Sequence, residues 1–267
     1  MSRLSPYYEE DKSMSVEHDD KFESLGLSKE DRNRVVVAFD ADYLIYFALY
    51  SKDKDGNVVE WTIDRIEELQ GKLSEMFLKV LNNLEKYFDL GVVYTFIRGK
   101  GNFRRDLCKI YKSKRPEKHP LTDILYDWLK TAHGAIESVG AESDDYCATI
   151  CYKTQGNCIV VSPDKDLLQL SCIIYNPQKD YYKKITPKEA KFHLYMQYVC
   201  GDVSDSVAGC KGLGIAYYNK NFNIDMTDEE YETALLTAYL KSTKGDEAEA
   251  KRQMELNKQL LTLKYME

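Results

Sequence analysis

The sequence has few histidines, prolines and glycines, and it has no long apolar segment. Its 267 residues include four histidines, six prolines and 14 glycines. With four histidines and no HExxH motif, we do not expect metal chemistry based on imidazole, and the low proline and glycine content excludes a collagen-like or low-complexity chain. The longest apolar run, Tyr43 to Tyr50, is shorter than the roughly 18 residues of a membrane span. Because the first residues, MSRLSPYYEEDK, show no targeting pattern, we expect a cytoplasmic protein without a membrane partner.

The seven cysteines form no CxxC pair, and their number is odd. Most of them stand among apolar residues, so we expect buried free thiols in a reducing compartment. Cys147 and Cys151 share one face of a predicted helix, but two soft ligands without a second pair make a poor zinc site. The pattern favours structural cysteines.

Charge is distributed unevenly along the chain. Overall, 37 Lys and Arg residues against 44 Asp and Glu residues leave a net charge of −7. Residues 98–118 nevertheless contain nine basic residues and only two acidic ones. A basic patch inside an acidic protein is typical of a surface that contacts a phosphate backbone.

Predicted strands alternate with predicted helices over most of the chain. Buried parallel strands are indicated by four short β-branched runs, at 34–40, 91–98, 158–162 and 172–175. Helices are predicted at 62–88, at 143–152 and from a capping box that begins at Thr186. This order predicts an α/β fold with a central, mostly parallel sheet flanked by helices.

Three regions differ in composition. Residues 1–34 are polar and acidic, and we expect them to form an N-terminal extension outside the core. Residues 35–200 contain the predicted α/β core. Residues 201–267 are interrupted by glycines and then helical, which predicts a helical C-terminal region.

Acidic residues follow predicted strands or begin predicted helices at four places. Ligands of such sheets bind beyond the carboxyl ends of the strands, so these acids are expected at one edge. A single acid there is most simply a helix cap, but a whole group would repel unless cations neutralised it. Oxygen ligands select Mg²⁺, or Mn²⁺ in its place, and two such ions suit attack on a phosphodiester. The candidate metal ligands are Asp40, Glu142, Asp144, Asp145, Asp164, Asp166, Asp202 and Asp205.

Four motifs, in this order, resemble the flap endonuclease/5′-3′ exonuclease family of structure-specific 5′ nucleases. VVVAFDADYLIY is similar to the family's first strand with its metal-binding Asp40, and ESDDYCATI resembles its EADD helix. VVSPDKDLLQL matches the SxDxD-LxQL loop, and GDVSDSVAGCKGLG matches GDxSDNxxGxxGxG. The resemblance covers about Val35 to Gly214. It implies a PIN-like 5′ nuclease core that hydrolyses DNA at 5′ ends or 5′ flaps, with RNA–DNA hybrids as a further substrate.

The basic segment provides a fifth match, because Phe103 to Arg115 reproduces the family spacing FRx₆YKxxR. In the family this stretch is the base of a helical arch, here about residues 98–135. The resemblance implies that Lys112 and Arg115 stabilise charge at the scissile phosphate and that Tyr111 stacks on a terminal base, roles that also suit these residue types. The implied catalytic residues are Lys112, Arg115, Asp40, Asp164 and Asp166. The implied DNA-binding residues are Arg104, Arg105, Lys109, Tyr111, Lys112, Lys114, Arg115, Gly209, Gly212 and Gly214.

The three glycines lie in a turn before a helix that begins near Ile215, where backbone N–H groups can approach a phosphate. In the family, such a turn belongs to a helix–turn–helix element that holds the duplex backbone, often around a K⁺ ion, here at 201–214. The resemblance further implies a monomer that acts in DNA replication or repair beside a separate polymerase or other replication proteins.

One acid of the family pattern is missing. The second strand normally ends in an aspartate, and the corresponding position falls on Phe96 or Ile97. Asp42 could compensate, because residues two apart on a strand share one face. Three alternatives stay open: an impaired protein that still binds flaps or forks, a PIN-type ribonuclease, and a haloacid-dehalogenase-type phosphatase. In the phosphatase, Asp40 would be the nucleophile and Asp42 the general acid.

Overall fold

A computed structural model describes residues 34–267. The predicted N-terminal extension, residues 1–34, lies outside the described residues except for Arg34. The described chain contains one six-stranded sheet and one two-stranded hairpin. The strands are β1 (Val35–Asp40), β2 (Leu90–Arg98), β3 (Ile136–Ser138), β4 (Cys158–Val161), β5 (Ile173–Asn176), β6 (Tyr181–Lys184), β7 (Gly201–Asp202) and β8 (Val207–Ala208).

The helices surround this sheet. They are α1 (Asp42–Leu49), α2 (Ile66–Glu85), α3 (Phe103–Leu107), α4 (Thr122–His133), α5 (Ser143–Lys153), α6 (Pro187–Cys200), α7 (Ile215–Asn221), α8 (Asp228–Ser242) and α9 (Glu247–Leu261). A 3₁₀ helix, Lys165–Gln169, follows β4. The sheet order is β3-β2-β1-β4-β5-β6, with all neighbours parallel except the final β5–β6 pair. The predicted mostly parallel α/β fold is therefore confirmed.

Strand β1 lies at the centre of the sheet, where both of its faces are covered. It pairs with β2 on one side and with β4 on the other. Val37 and Phe39 point to the face covered by α1, α2 and α4, whereas Ala38 points to the face covered by α5. A β-branched run is favoured here because a strand buried on both sides has no polar face. The central strand thus carries Asp40 to the carboxyl edge on a rigid support.

Helix α2 follows directly from its sequence pattern. Leu69, Leu73, Phe77, Val80 and Leu84 recur every three or four residues and are all buried. This spacing forms one apolar stripe, and burying each of these side chains contributes about 1.5–3 kcal/mol to stability. The predicted range of 62–88 was longer than the helix, because Ile63–Arg65 forms a 3₁₀ turn and the residues after Glu85 lead into β2.

The C-terminal helices pack around an aromatic cluster. Tyr218, Tyr231 and Tyr239 are fully buried, and their hydroxyl groups donate to backbone carbonyls, for example that of Tyr198 at 2.8 Å. Buried tyrosines need such partners, so the cluster is satisfied.

The capping box at Thr186 and Glu189 begins α6 as predicted. The turn at Gly212 and Gly214 leads into the seven-residue helix α7, and the helix–turn–helix element remains a prediction.

Within residues 34–267, no helix is long and apolar enough to cross a bilayer. Helix α2, the longest at 20 residues, carries charged side chains throughout.

Candidate metal and nucleic-acid site

Asp40 is the point where three chain segments meet. Its carboxylate accepts hydrogen bonds from Ser143 Oγ at 2.8 Å and from Ser162 Oγ at 3.0 Å. Ser143 begins α5, and Ser162 follows β4, so the carboxyl edges of β1 and β4 and the start of α5 converge here. Neither serine was predicted as a site residue, although Ser143 stands inside the ESDD motif and Ser162 inside the SPDKD motif.

Asp42 lies beside this point at the start of α1. Its carboxylate accepts a hydrogen bond of 2.7 Å from the backbone N–H of Arg98, the last residue of β2, and another of 3.2 Å from Ser143 Oγ. The hydroxyl group of Ser143 therefore contacts both Asp40 and Asp42. The expectation that the two acids share one face of a strand is wrong, because β1 ends at Asp40 and Asp42 reaches this point from the first residue of α1.

Glu142 and Asp145 form the capping box of α5. Each side chain accepts a hydrogen bond from the backbone N–H of the other residue. The helix start therefore fixes both carboxylates, as the simpler capping explanation predicts. Capping occupies only part of each carboxylate, and the Glu142 carboxylate also contacts the basic segment, residues 98–118.

Asp145 and Arg104 form a buried ion pair, and this corrects two expectations. Arg104 is 2% exposed and Asp145 is fully buried. The guanidinium donates to both carboxylate oxygens, at 2.5 and 2.8 Å, and also to the carbonyl oxygens of Leu260 and Thr262. Lys264 N–H donates to the same carboxylate at 2.8 Å. Arg104 thus has no surface to offer DNA, and the Asp145 oxygens are already bound, so we leave both out of the proposed site.

Tyr111, Lys112 and Arg115 reach into the acidic cluster from the basic segment. The hydroxyl of Tyr111 donates to Glu142 at 2.7 Å and to Asp205 at 2.9 Å, and its ring is only 3% exposed. Stacking of Tyr111 on a base is therefore not supported, because both faces of the ring are covered. Its role in this structure is to hold two acids in place.

Lys112 forms ion pairs with the same two acids, Glu142 and Asp205. Its ammonium group binds Glu142 and lies 3.3 Å from Asp205, while Arg115 lies 2.9 Å from Asp205. Lys112 has a φ of 54°, a conformation disfavoured for residues other than glycine, and its N–H donates to the Asp205 carbonyl. Such backbone strain is typical of functional positions. Both predicted phosphate-contacting residues are therefore at the acidic cluster, where they are paired with carboxylates.

Asp164 and Asp166 enter the cluster from the turn after β4. Asp164 caps the 3₁₀ helix through the N–H of Asp166 at 2.9 Å. Asp166 accepts a hydrogen bond of 2.6 Å from the buried amide of Gln197 on α6. Gln197 lies 31 positions from Asp166 in the sequence, and no local motif identifies it.

Asp202 and Asp205 complete the cluster from the β7–β8 hairpin. Asp202 accepts hydrogen bonds from the backbone N–H groups of Ser204 and Asp205, and it lies 2.8 Å from the ammonium of Lys165. Lys165 stands between Asp164 and Asp166, so the PDKD loop supplies a cation as well as two acids. This internal cation is a residue that the sequence reasoning missed.

Burial and like charge raise the proton affinity of several of these acids. Burial, followed by the nearby Asp42 carboxylate, raises the pKa of Asp40 to about 7. Burial and Glu142 hold the pKa of Asp144 well above its ordinary value, and burial and Asp164 do the same for Asp166. The side chain of Asp164 is exposed, but the protein around it removes enough water to raise its pKa too.

The paired acids behave in the opposite way. Burial alone would raise the pKa of Glu142, but Lys112 outweighs it and lowers that pKa. Lys165 and Ser204 likewise outweigh burial at Asp202 and lower its pKa. The cluster therefore contains acids whose pKa is lowered by a lysine in contact with them and acids whose pKa is raised because burial and neighbouring carboxylates outweigh the nearby lysines.

The unpaired acids fit a hard divalent cation in chemistry. All of their donor atoms are carboxylate oxygens, which Mg²⁺ and Mn²⁺ prefer, and their raised pKa values show that positive charge would stabilise them. In the described part of the chain, no three carboxylates bring oxygens within 4.8 Å of one another. The acids thus surround a wider space than a closed metal site, as expected for groups that repel.

The remaining predicted DNA contacts fall into two groups. Arg105, Lys109 and Lys114 are exposed and free of the core. Gly209 is instead a packing glycine, because a Cβ there would lie 2.3 Å from the carbonyl oxygen of Val199. Gly212 and Gly214 are exposed, and a Cβ would meet nothing within 4 Å at either one.

Exposed aromatic side chains lie on α1 and at Tyr50, the residue that follows this helix. Tyr46 is 60% exposed, Phe47 39% and Tyr50 41%, and the rings of Tyr46 and Tyr50 are 4.7 Å apart. Three large aromatic residues so close together are unusual on a surface unless they contact a partner. The sequence reasoning missed this surface, and the run from Tyr43 to Tyr50 was its signal.

Comparison with known proteins identifies the family. Residues 35–193 match the family model described as "5'-3' exonuclease, N-terminal resolvase-like domain". The chain belongs to the 5′-3′ exonuclease family. This membership confirms the predicted family and favours the nuclease interpretation over the phosphatase.

Individual relatives agree with this membership. The chain is 26% identical over 198 residues to a 5′-3′ exonuclease of Mycoplasmopsis pulmonis, a match that covers 67% of this chain and 62% of the relative. It is 30% identical over 173 residues to a 5′-3′ exonuclease of Buchnera aphidicola subsp. Schizaphis graminum, with 56% and 58% covered. The chain thus spans about 60% of the length of these two relatives.

A solved structure shows the same fold. The T5 D15 protein co-crystallised with metal ions superposes with a TM-score of 0.58 at 14% identity, covering 87% of this chain and 90% of that one. The sheet and its flanking helices therefore have the same fold as that protein.

The Arg104–Asp145 pair predicts a large effect on stability. Replacing Arg104 with methionine leaves the Asp145 charge buried without its partner, so we expect Arg104→Met to lower the free energy of unfolding by about 3–5 kcal/mol. Urea denaturation followed by circular dichroism measures this change. The matched control is Arg105→Met at the exposed neighbouring position, where we expect a change of less than about 0.5 kcal/mol. Similar losses in the two variants would contradict a structural role for Arg104.

Proposed function

We propose that the protein is a metal-dependent 5′-3′ exonuclease and 5′-flap endonuclease that hydrolyses phosphodiester bonds of DNA and of RNA in RNA–DNA hybrids. The observation that carries this proposal is the meeting of acids from four chain segments with Lys112 and Arg115. Acids alone would be a cation site, and basic residues alone would be a phosphate site. The two together, in a member of this family, favour cleavage of a polyanion.

Two groups of acids would hold two divalent ions. In the first group, Asp164 repels both Asp40 and Asp144. In the second group, Asp164 and Asp166 repel each other and Asp202, and Asp205 lies close to them. Mg²⁺ is the proposed cation and Mn²⁺ its substitute, because both prefer oxygen ligands. When bound, such ions make a water molecule more acidic and stabilise the negative charge of the phosphate. A K⁺ ion at the 201–214 turn is supported by the resemblance alone.

Lys112 and Arg115 would change partners when the site is loaded. In the structure they neutralise Glu142 and Asp205. Cations bound by those acids would repel both side chains and free them for the scissile phosphate. Arg115 is half exposed already, so it needs little movement to reach a substrate. Both residues would then stabilise the charge that develops on the phosphate oxygens.

Asp42 takes the place of the acid missing from β2 in this proposal. Phe96 and Ile97 are buried and apolar, so neither can bind a cation. The Asp42 carboxylate nevertheless lies 2.7 Å from the backbone nitrogen of Arg98, at the very end of that strand. A carboxylate is therefore present at the end of β2, although it comes from a different segment.

The surface beyond the cluster suits a nucleic-acid strand. Tyr46, Phe47 and Tyr50 offer faces on which bases can stack regardless of sequence, and Arg105, Lys109 and Lys114 offer charge for the backbone. Gly212 and Gly214 remain proposed contacts to the duplex. A separate polymerase as partner, a monomeric state and a cytoplasmic location stay predictions.

Cleavage of a 5′-flap duplex labelled at its 5′ end tests the proposed activity. We expect release of the flap in Mg²⁺ or Mn²⁺ and none in EDTA, because the acids cannot act without a cation. The variant Asp164→Ala/Asp166→Ala should lose more than about 100-fold in rate, since even outer partners of metal ligands are worth 10- to 100-fold. Tight flap binding without cleavage in either metal would support the impaired alternative instead, and absence of binding would refute the nucleic-acid role.

The proposed role of Asp42 has its own test. Asp42→Asn keeps the shape of the side chain and removes its charge, so we expect a loss of about 10- to 100-fold in cleavage rate that higher Mn²⁺ partly restores. Flap affinity in Ca²⁺ should stay within a few-fold of the parent. The matched control is Asp53→Asn, an exposed acid remote from the cluster, which should cleave normally. Full activity of Asp42→Asn would show that the site works without an acid at the end of β2.

The raised pKa of Asp40 gives the stability of the metal-free protein a definite pH dependence. The pKa is about 7 in the folded protein against an ordinary 3.8, so between these values folding retains a proton that the unfolded chain releases. Stability therefore falls as pH rises through this window. We expect the rise in Tm caused by millimolar Mg²⁺ to be larger at about pH 8 than at about pH 6, because protons compete with the cation.

Differential scanning calorimetry in Mg²⁺ and in EDTA measures both effects. Asp40→Asn should flatten the dependence of Tm on pH in EDTA and reduce the shift caused by Mg²⁺. A shift of equal size at the two pH values, or no shift at either, would contradict a cation site among these acids.

A further inference from the structure

Three cysteines converge at the end of the sheet remote from the acids. Cys151 lies on α5, Cys158 begins β4, and Cys172 directly precedes β5. Their sulfur atoms all lie within 4.8 Å of one another, and the residues are only 2–4% exposed. All three are free thiols. The sequence showed no such group, because the three positions share no motif spacing.

The fold creates this cluster through one close backbone contact. Gly156, in the turn between α5 and β4, has a φ of +82°, and a Cβ there would lie 2.4 Å from the carbonyl oxygen of Ser171. Only glycine permits so close a contact, and the turn therefore packs directly against Ser171, the residue before Cys172. The parallel pairing of Ile159 with Ile173 then places Cys158 beside Cys172. Cys151 joins them from the overlying helix.

The cluster is separate from the acidic site. Asp164 lies six residues after Cys158, and an extended strand spans about 20 Å over that length. The acids lie at the carboxyl end of β4, whereas Cys158 is its first residue. Gln155 and Asn157, on either side of Gly156, are exposed, so one layer of chain separates the sulfurs from solvent.

We propose that Cys151, Cys158 and Cys172 form a three-thiolate site for a soft divalent metal ion such as Zn²⁺ or Cd²⁺. Three sulfurs around one metal at about 2.3 Å lie about 4 Å apart, so the present arrangement needs only a small contraction. Thiolate ligands select soft cations over Mg²⁺. Each metal–sulfur bond forms as the thiol releases its proton to solvent, and the bound group carries one net negative charge.

Metal binding requires the three buried thiols to lose their protons as the cation enters. A thiolate is the form that binds metal. A divalent ion suits the site better than a monovalent one, because it leaves less uncompensated charge in an apolar interior.

Titration of the reduced full chain with Cd²⁺, followed by sulfur-to-metal charge-transfer absorption, tests the proposal. We expect saturation at one equivalent, unaffected by millimolar Mg²⁺. Cys158→Ala should weaken Cd²⁺ binding more than about 100-fold, since loss of a direct ligand exceeds the 10- to 100-fold effect of outer partners. Carboxylates do not produce this absorption, so Cd²⁺ bound among the acids cannot imitate the result.

The matched control is Cys210→Ala, which removes a buried thiol from the C-terminal cluster and should leave the titration unchanged. Circular dichroism checks that each variant is folded, and Cys151→Ser provides a second test if Cys158→Ala does not fold. Flap cleavage should be unchanged in the folded Cys158→Ala protein, so this result is independent of the nuclease proposal. Lack of a saturable absorption, or an equal absorption in Cys158→Ala, would overturn the site.

Discussion

Repulsion among carboxylates is the constraint around which this end of the molecule is built. Acids from β1, α5, the turn after β4 and the β7–β8 hairpin meet at one edge of the sheet, where water alone cannot screen them. Two lysines of the protein partly neutralise this negative charge, because Lys112 and Lys165 each bind acids of the cluster. Asp40 instead receives two serine hydroxyl groups. Within the described residues, Asp40, Asp144 and Asp166 form no ion pair and have raised pKa values, so they mark where external positive charge would be stabilising.

The same balance explains why the basic segment is close to the acidic cluster. Lys112 and Arg115 are paired with Asp205 in the structure and would stabilise a bound phosphate, so one pair of side chains would serve both functions. Tyr111 adds a neutral donor between Glu142 and Asp205 and thereby keeps the two acids at a fixed separation. A substrate therefore competes with internal ion pairs, and metal and substrate are expected to promote each other's binding.

Much of the fold could be predicted from periodicity and strand ends. The β-branched runs of β1, β4 and β5 were visible because a strand buried on both sides must be apolar throughout. The run of β2 was visible as well, although the first part of that strand is partly exposed. Strand β3 was missed because three residues carry no pattern, and β6 because its lysines and tyrosines resemble a polar loop. The acids of the site were identified by motif. Their pairing could not be, because motif spacing does not tell whether Asp145 faces the cluster or a buried arginine, nor that Gln197 reaches Asp166 from α6.

The bonds of Arg104 also fasten the last turn of the chain to the site. Its guanidinium holds the carbonyl oxygens of Leu260 and Thr262, while Asp145 receives the N–H of Lys264. The end of α9 is thus tied to α3, at the base of the basic segment, and to α5, which carries Glu142 and Asp144. Because this connection is rigid, a force that a bound duplex exerted on the C-terminal helices would also shift the positions of the acids.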